Sequence, residues 1–271
     1  MMRAAAANVP VIAFRAASYR APRGALLVDG LSLEVTAGST LVLLGRSGAG
    51  KTTTLKLANR LLAATAGDVL VEGKSVSQWD PIRLRRRMGY AIQDVGLFTH
   101  HTVERNIGLL PAVEGWPAAR IRARVREMLA LVGLEESLAA RLPRELSGGQ
   151  RQRVGVARAL ALDPPVLLMD EPFGALDPLT RAELQTEFSL LQKRLGKTVV
   201  LVTHDLREAL LLGTEIALLD SGRLAGRYSP AEFLSTTDAL PANYRRAFAF
   251  DENGIVQSGS PPAGYPGGGS A

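Results

Sequence analysis

The stretch TLVLLGRSGAGKTT, residues 40–53, decides the fold of this chain. The residues from Thr40 to Leu44 form a nearly continuous apolar run, which is typical of a strand buried in a parallel sheet. The loop GRSGAGKTT follows, fits the pattern G-x-x-x-x-G-K-[S/T], and leads into residues 52–62, which have helical spacing. A strand, a glycine-rich loop and a helix in this order predict an α/β chain with a phosphate-binding loop.

The loop residues have distinct expected roles. The glycines let backbone N–H groups close on a β-phosphate, Lys51 neutralises β- and γ-phosphate oxygens, and Thr52 binds Mg²⁺ through its hydroxyl. The alternative is an ordinary glycine-rich turn. Lys51 and Thr52 occupy the positions that the motif requires, which disfavours this alternative. The residues predicted to contact the nucleotide here are Gly45, Arg46, Ser47, Gly48, Ala49, Gly50, Lys51, Thr52 and Thr53.

A second strand-like run ends in two carboxylates. The run VLLMDE, residues 166–171, ends in Asp170 and Glu171, and burying such charges is costly unless they have a partner. We expect Asp170 to hold Mg²⁺ and Glu171 to polarise an attacking water molecule. The alternative, a pair of solvated loop acids, is disfavoured by the phosphate loop upstream.

Two further side chains follow apolar runs. His204, one of three histidines, ends the run TVVLVTHD, where it can hydrogen-bond a γ-phosphate and orient the catalytic water. A lone histidine is more often structural. The position of His204 at a strand end favours a functional role, because ligands of α/β sheets bind at the carboxyl ends of the strands. Gln93 could contact Mg²⁺ or water, although spacing alone favours a surface glutamine.

The segment LSGGQRQRV, residues 146–154, is a second glycine-rich sequence. Ser147, Gly148 and Gly149 are predicted to form a turn, with a helix from Gln150 onward. N–H groups at the start of that helix would suit an anion, yet the chain already has a better phosphate loop upstream. The question is why one chain needs both.

Composition excludes several classes of protein. The 271 residues suffice for one large α/β domain with inserts or for two small domains, and the absence of cysteine excludes disulfide frameworks, thiolate zinc sites and cysteine nucleophiles. No apolar run approaches the ~20 residues that span a bilayer, and no signal peptide is expected. The net charge is +6, and we expect the arginine clusters at 83–87 and 119–126 to be solvated surface rather than a nucleic-acid patch.

The pattern along the chain predicts its organisation. Short β-rich runs fill residues 11–42, and helical patterns dominate from about 98 to 160. Strands return in the runs that carry Glu171 and His204, with an amphipathic helix between them. The segment EIALLDSGRLAGRY is typical of a hairpin.

Together these segments resemble the ATP-binding subunit of ABC transporters, over roughly residues 11–235. The resemblance implies an α/β fold: a P-loop NTPase (RecA-like) core with an antiparallel β subdomain and an inserted α-helical subdomain at about 98–160. Residues 1–10 would be a loose N-terminus, and residues 236–271 a C-terminal extension that is disordered from about 251. The implied ligands are ATP and Mg²⁺.

The same resemblance assigns the motifs. GRSGAGKTT is similar to the Walker A motif, VLLMDE to Walker B with its catalytic glutamate, and LSGGQ to the family signature. The implied catalytic residues are Glu171, His204 as the switch histidine and Gln93 in the Q-loop, and the implied Mg²⁺ ligands are Thr52, Gln93 and Asp170. Further implied nucleotide contacts are Tyr19 against adenine, Ser147, Gly148, Gly149 and Gln150 in the signature, and Asp177 in the D-loop.

The resemblance also implies partners. Members of the family pair two such subunits head to tail, with each ATP between the Walker A motif of one copy and the signature of the other. A second copy of this chain would then explain the second glycine-rich segment. Transmembrane permease subunits and an extracytoplasmic solute-binding protein are the other implied partners, at the cytoplasmic face of the cell membrane, where the chain is peripheral. No nucleic acid is expected.

Finer phrases indicate a subfamily. NRL after the first loop, GLFTHHTVERNI and FGALDPLTR resemble ATPases that import quaternary-amine osmoprotectants such as glycine betaine, carnitine and choline. Importers of amino acids or polyamines share parts of these phrases and stay as alternatives. Asp94 and Thr99 stand where close relatives often carry Gln and Pro, in the region that meets the membrane subunit. The paired CBS regulatory domains of many relatives are not expected here.

The sequence also permits comparison with an ATPase of another functional class. A nucleic-acid-linked ABC ATPase would suit the basic charge, but the sequence has no cysteine-zinc module, long coiled-coil insert or second cassette. No feature of the sequence indicates a regulatory ATPase that is not linked to transport. The sequence therefore favours a transport ATPase that energises a separate permease.

Overall fold

The computed structural model of the protein describes residues 10–92 and 95–248. Within these ranges the strands are β1 (Ile12–Arg20), β2 (Leu26–Val35), β3 (Thr40–Leu44), β4 (Ala66–Val71), β5 (Lys74–Ser75), β6 (Met88–Ala91), β7 (Val166–Asp170), β8 (Thr198–Thr203), β9 (Glu215–Asp220) and β10 (Arg223–Tyr228). The α-helices are α1 (Lys51–Ala58), α2 (Pro81–Arg86), α3 (Val103–Val113), α4 (Ala118–Leu131), α5 (Gly148–Leu160), α6 (Pro178–Leu195), α7 (Leu206–Leu212), α8 (Pro230–Ser235) and α9 (Ala239–Ala247). Short 3-10 helices cover Val76–Gln78, Glu136–Ala140 and Pro143–Glu145.

A largely parallel sheet forms the centre of the described residues, in the order β10-β9-β3-β8-β7-β6. Neighbours from β9 to β6 run parallel, and β10 pairs antiparallel with β9, which confirms the predicted hairpin. Every residue of β3, β7 and β8 is buried, so their sequences are apolar almost throughout rather than alternating. Parallel strands have their carboxyl ends at one edge, where the loops after β3, β7 and β8 meet.

The strand register brings the polar strand ends together. Leu44, the residue before the glycine-rich loop, pairs with Thr203 of β8, and Asp170 at the end of β7 pairs with Val202. Neighbouring strands lie about 5 Å apart. The phosphate loop, Asp170 and His204 therefore follow adjacent strands at one edge of the sheet.

Two apolar clusters lie on the two faces of this sheet. Leu41 and Leu43 of β3 belong to a cluster shared with α1 and with a small antiparallel sheet, in the order β2-β1-β4-β5. Val42 and Leu44 belong to a second cluster, shared with α3, α4, α5, α6 and α7. This division follows from the two-residue period of a strand, and it explains why β3 is apolar at successive positions.

The start of α5 differs from the sequence prediction. Ser147 is the N-cap: its Oγ accepts a hydrogen bond from the Gln150 N–H, and Gln150 Oε1 accepts one from the Ser147 N–H. This reciprocal capping box starts the helix at Gly148. The turn predicted over residues 147–149 is therefore wrong at its two glycines, which lie in the first helical turn.

The end of α1 also differs from the predicted helical pattern, which runs to residue 62. The helix ends at Ala58, because Arg60 has a left-handed backbone with φ of +53°. The N–H groups of Leu61 and Leu62 both donate to the Lys56 carbonyl, which closes the helix end.

The longest helix of the described residues is α6, with 18 residues. Asp177 caps it by accepting a hydrogen bond from the Thr180 N–H at 3.0 Å, and Pro178 occupies the first helical position. The helix ends at Leu195, and the C-cap that follows is Gly196, whose φ of +58° suits glycine. Neither this helix nor any other among residues 10–92 and 95–248 is long and apolar enough to cross a membrane.

Beyond residue 235 the chain forms α9, which the sequence did not predict. The Arg245 guanidinium donates to the carbonyl oxygens of Phe233 and Thr236, at 2.6 and 2.7 Å. Leu240 and Tyr244 pack against the second apolar cluster. The predicted disorder from about residue 251 lies outside the described residues.

Candidate active site

The phosphate loop between β3 and α1 is fixed by close backbone contacts. Gly50 has φ of +91°, and a Cβ atom there would lie 2.4 Å from the carbonyl oxygen of Leu27 in β2. A Cβ atom at Gly45 would lie 2.5 Å from the carbonyl oxygen of Leu219 in β9. Only glycine allows these approaches, so the loop is held against two neighbouring strands.

Lys51 lies inside this loop and is only 5% exposed. Its Nζ donates to the carbonyl oxygens of Gly45 and Arg46, at 2.8 and 2.9 Å. Burial lowers the pKa of Lys51, and the nearby carboxylates of Glu171 and Asp170 act in the opposite direction. The ammonium group is thus held by two neutral acceptors that phosphate oxygens can replace.

Thr52 and Asp170 form a pair of oxygen donors beside the loop. The Thr52 hydroxyl donates to Asp170 Oδ1 at 2.8 Å, and the Tyr90 hydroxyl lies 3.5 Å from Asp170 Oδ2. Burial raises the pKa of Asp170, against the lowering effect of the Thr52 hydrogen bond. A hydroxyl beside a buried carboxylate suits a hard divalent cation. No cluster of three or more His, Cys, Asp or Glu metal ligands occurs within the described ranges.

Glu171 and His204 lie together next to this pair. His204 Nδ1 is 3.4 Å from Glu171 Oε2, and the His204 side chain is 55% exposed. Glu171 has a left-handed backbone, with φ of +44°, and its N–H donates to the Val202 carbonyl at 3.0 Å. Such strained backbone is concentrated at functional sites. The geometry offers a general base with an imidazole beside it.

The start of α5 is separate from this group. Ser147 is exposed and Gly148 is partly exposed. No hydrogen bond joins residues 147–150 to residues 45–53 in the part of the chain that the structure describes. Two potential anion sites therefore exist on one chain without direct bonding between them.

Comparison with known proteins gives the family. Residues 28–174, more than half of the chain, match the ABC transporter family. The chain belongs to the ABC transporter family. The matched range contains the phosphate loop, the start of α5 and the two carboxylates at the end of β7, Asp170 and Glu171.

The ABC transporter relatives include proteins named for quaternary-amine uptake. The glycine betaine uptake system ATP-binding protein YehX of Escherichia coli (strain K12) is 49% identical over 230 residues, 84% of this chain and 73% of the relative. The osmoprotectant import ATP-binding protein OsmV of Salmonella typhimurium is 50% identical over 80% of this chain and 56% of its own length. The glycine betaine/carnitine/choline transport ATP-binding protein OpuCA of Bacillus subtilis is 46% identical over 81% of this chain and 57% of its own length. The chain thus spans little more than half the length of the last two relatives.

Solved ABC transporter chains share the fold. The cbiO1 protein of Clostridium perfringens, part of the ABC transporter complex cbiONQ, has a TM-score of 0.77 at 26% identity, covering 88% of this chain and 95% of that chain. An ATP-binding cassette solved as a dimer, in a post-hydrolysis state bound to ADP and Pi, has a TM-score of 0.72 at 30% identity, covering 81% of this chain and 98% of that chain. The predicted α/β fold of the P-loop NTPase type is confirmed.

For three other predicted site residues of this ABC transporter chain, the structure shows no hydrogen bond to the phosphate loop among the described residues. Tyr19 lies on β1, opposite Val28, and packs partly buried against the first apolar cluster. The Asp177 carboxylate caps α6. Gln93 lies outside the described residues, as does Asp94. The roles predicted for these residues toward nucleotide or partner stay predictions.

The sequence prediction missed three side chains that support the site. Tyr90 contacts Asp170 from β6, and Arg181 donates to the carbonyl oxygens of Phe173, Gly174 and Leu176 and so holds the loop after Glu171. Glu208 is buried on α7, four residues after His204 in the chain. The sequence spacing holds no signal for the contacts of these three side chains.

Several arginines of the two clusters, at 83–87 and 119–126, form ion pairs or hydrogen bonds within the protein. Arg86 pairs with Glu114 at 2.5 Å, Arg87 pairs with Glu72, and Arg124 donates to the backbone carbonyls of Leu160 and Ala161. The two ion pairs offset part of the positive charge of the first cluster, whereas the carbonyl oxygens that bind Arg124 carry no net charge. The interpretation of these clusters as solvated surface rather than a nucleic-acid patch stays a prediction.

A separate cavity of about 440 Å³ lies between α4, α5 and α6. Its lining is mainly apolar, with Phe173, Leu184 and Phe188 among its residues. Neither the phosphate loop nor Glu171 or His204 lines it. The cavity is therefore not part of the candidate active site.

Proposed function

We propose that this chain is the ATP-hydrolysing subunit that energises a separate membrane permease for the import of glycine betaine or a related quaternary amine. The observation that carries hydrolysis is the shared sheet edge, where Lys51, Asp170, Glu171 and His204 follow adjacent parallel strands. The solute class is supported by relatives that are 46% to 50% identical and named for glycine betaine, carnitine, choline or osmoprotectant transport.

The proposed reaction uses each group at this edge. Lys51 exchanges its two carbonyl acceptors for oxygens of the β- and γ-phosphates. Glu171 is the general base that takes a proton from the attacking water, and His204 orients that water and the γ-phosphate. The bond between the β- and γ-phosphates breaks, which gives ADP and inorganic phosphate.

Thr52 and Asp170 are the protein ligands proposed for Mg²⁺. Their oxygens are 2.8 Å apart, and a divalent cation would compensate the burial of the Asp170 carboxylate. Mg²⁺ often takes only one or two protein ligands together with water and substrate phosphates, so this small donor set fits. The bound cation supplies charge neutralisation at the phosphates. Gln93, the third predicted ligand, is not among the described residues.

A second copy of the chain is the partner proposed for the start of α5. This helix presents Ser147 and its first N–H groups at an exposed end, where the helix dipole favours an anion. The related cassette solved as a dimer with ADP and Pi supports such pairing. Two-fold symmetry would form two equivalent sites, each with the loop of one copy and Ser147 of the other.

The permease is the partner proposed for exposed apolar side chains on α2, on α3 and in the loop that precedes α3. Ile82, Phe98 and Val113 are large apolar side chains exposed in this region. The Arg86–Glu114 ion pair joins α2 to the end of α3. Contiguous exposed apolar patches mark protein contacts, and these side chains are our candidates for such a contact. The chain is accordingly proposed to be peripheral at the cytoplasmic face of the membrane, with a solute-binding protein on the other side.

The test is uptake of labelled glycine betaine at high osmolarity by cells that lack their own copy of this chain. We expect uptake with the intact chain and none with Glu171→Gln, which keeps the fold and removes the base. Choline and carnitine are measured alongside. If ATP hydrolysis persists but none of the three solutes is taken up, the solute class is wrong. Labelled amino acids and polyamines then distinguish the alternative importers.

A further inference from the structure

A buried carboxyl group lies behind the turn that carries His204. Glu208 on α7 is only 4% exposed, and its Oε2 accepts a hydrogen bond from the Thr203 hydroxyl at 2.5 Å. The same Thr203 oxygen accepts a hydrogen bond from the Asp205 N–H at 3.0 Å. Thr203 and Asp205 are the two sequence neighbours of His204. The turn at His204 is therefore tied to Glu208 on both sides.

A small cavity connects Glu208 to the reacting groups. Its volume is about 10 Å³, and Glu171, Thr203, His204 and Glu208 are among the residues that line it. This volume is close to that needed for one water molecule. Glu208 Oε1 has no hydrogen-bond partner among the described residues, although it is fully buried. A buried acceptor without a partner is costly, and one water in this cavity would satisfy it.

The charges around Glu208 favour its neutral form. Burial is the largest cause, and the carboxylates of Asp205 and Glu171 add to it. The Thr203 hydrogen bond and the positive charge of Arg181 act in the opposite direction. Together they raise the pKa of Glu208 to about 8, so the carboxyl group is mainly protonated at neutral pH. A protonated carboxyl can accept from Thr203 and donate to a water molecule.

We propose that Glu208 is a positioning residue for ATP hydrolysis, which holds the His204 turn through Thr203 and orients one water molecule beside Glu171. The proposal rests on the hydrolysis proposed above and adds a residue that acts through His204 and Glu171. Glu208 does not touch the nucleotide and takes no proton from the substrate. Its contribution is the placement of the imidazole relative to the general base.

The kinetic test compares Glu208→Ala with Glu208→Gln. Misplacing a catalytic group by about 1 Å can cost about 100-fold in rate, so we expect the Ala variant to lose between about 10-fold and about 100-fold in kcat. Its KM for ATP should stay close to wild type, because the phosphate loop is untouched. Glutamine has the shape of a neutral glutamic acid and should restore most of the kcat. Thr203→Val should behave like the Ala variant, and Thr203→Ser like wild type.

The pH profile separates positioning from a purely structural role. Wild-type kcat should fall above about pH 8, when Glu208 ionises beside Asp205 and Glu171 with only Arg181 to offset the charge. The Gln variant should lose this alkaline decline. A side chain that only filled space would leave the alkaline limb unchanged in the Gln variant.

Hydrogen exchange provides a readout that does not need ATP turnover. The Asp205 amide, which donates to Thr203, should be protected in wild type and in Glu208→Gln and exposed in Glu208→Ala. A folded Ala variant with wild-type kcat, or with a protected Asp205 amide, would overturn the positioning role, as would a Gln variant as inactive as Ala. A wild-type chain without ATPase activity that showed the expected exchange pattern would instead refute the proposed function, while the tie between Glu208 and the turn would stand.

Discussion

Lys51 offers a direct test at the scale of single residues. Its ammonium group is held inside the loop by two carbonyl oxygens, where phosphate oxygens can replace them. Hydrogen bonds to charged groups contribute about 1.5 to 3 kcal/mol, so Lys51→Ala should weaken ATP binding by about 10-fold to 100-fold. Titration calorimetry with ATP measures this loss. Lys193→Ala, in the last turn of α6, is the matched control and should bind ATP like wild type. Unchanged affinity in the Lys51 variant would contradict the phosphate-loop assignment.

Glu208 gives a residue-scale prediction about stability. Its pKa is raised from 4.5 to about 8 in the folded chain. Between these values the folded chain keeps a proton that the unfolded chain has released. Rising pH therefore favours unfolding in this window, by at most about 1.4 kcal/mol per pH unit. Urea denaturation across the window should show wild type losing free energy of unfolding relative to Glu208→Gln. A constant difference between the two would show that Glu208 does not titrate as inferred.

At the scale of single residues, the sequence predicts those functional residues that lie in a recognisable local motif. Lys51, Thr52 and Asp170 follow apolar runs, and the structure has all three at one sheet edge. Arg181 and Glu208 could not be found in this way. Their partners are backbone carbonyls and a hydroxyl brought near by the packing of α6 and α7, and sequence spacing carries no record of such contacts.

The first turn of α5 can be tested at the scale of the element. Ser147 and Ser229 both form capping boxes, on α5 and α8. Removing either cap by mutation to Ala should cost about 1 kcal/mol of stability. Ser147→Arg should in addition abolish ATP turnover while each chain still binds ATP, because its bulk and charge occupy the face proposed for the second copy. Ser229→Arg is the matched control and should keep turnover. Steady-state ATPase assays decide this, and full activity of the Ser147→Arg variant would refute the two-copy site.

Elements were predicted best where the pattern and the packing agree. β3, β7 and β8 are buried on both faces, and this leaves an unmistakable apolar run. The end of α1 departs from the pattern because a left-handed Arg60, rather than glycine or proline, stops the helix. α9 was missed because it is anchored by Arg245 to two carbonyl oxygens, and only a few of its apolar side chains reach the core.

The whole molecule is predicted to work as a pair of chains. Glu171→Gln removes the general base and keeps the size and shape of the side chain, so ATP should bind nearly as in wild type and remain uncleaved. The nucleotide should then hold two copies together, and sedimentation with ATP should show a stable dimer. Wild type should dimerise only briefly before hydrolysis. Normal hydrolysis by this variant would remove Glu171 from the reaction, and a monomer with bound ATP would argue against the shared site.

The position of β3 between the two apolar clusters affects how the protein unfolds. Alternate residues of β3 belong to the two apolar clusters. Unfolding of either cluster therefore removes packing contacts from β3. The two layers are thereby coupled, and unfolding should be a single cooperative transition rather than the loss of one layer at a time. The phosphate loop is the direct continuation of β3, so heat should abolish nucleotide binding only when the entire fold is lost.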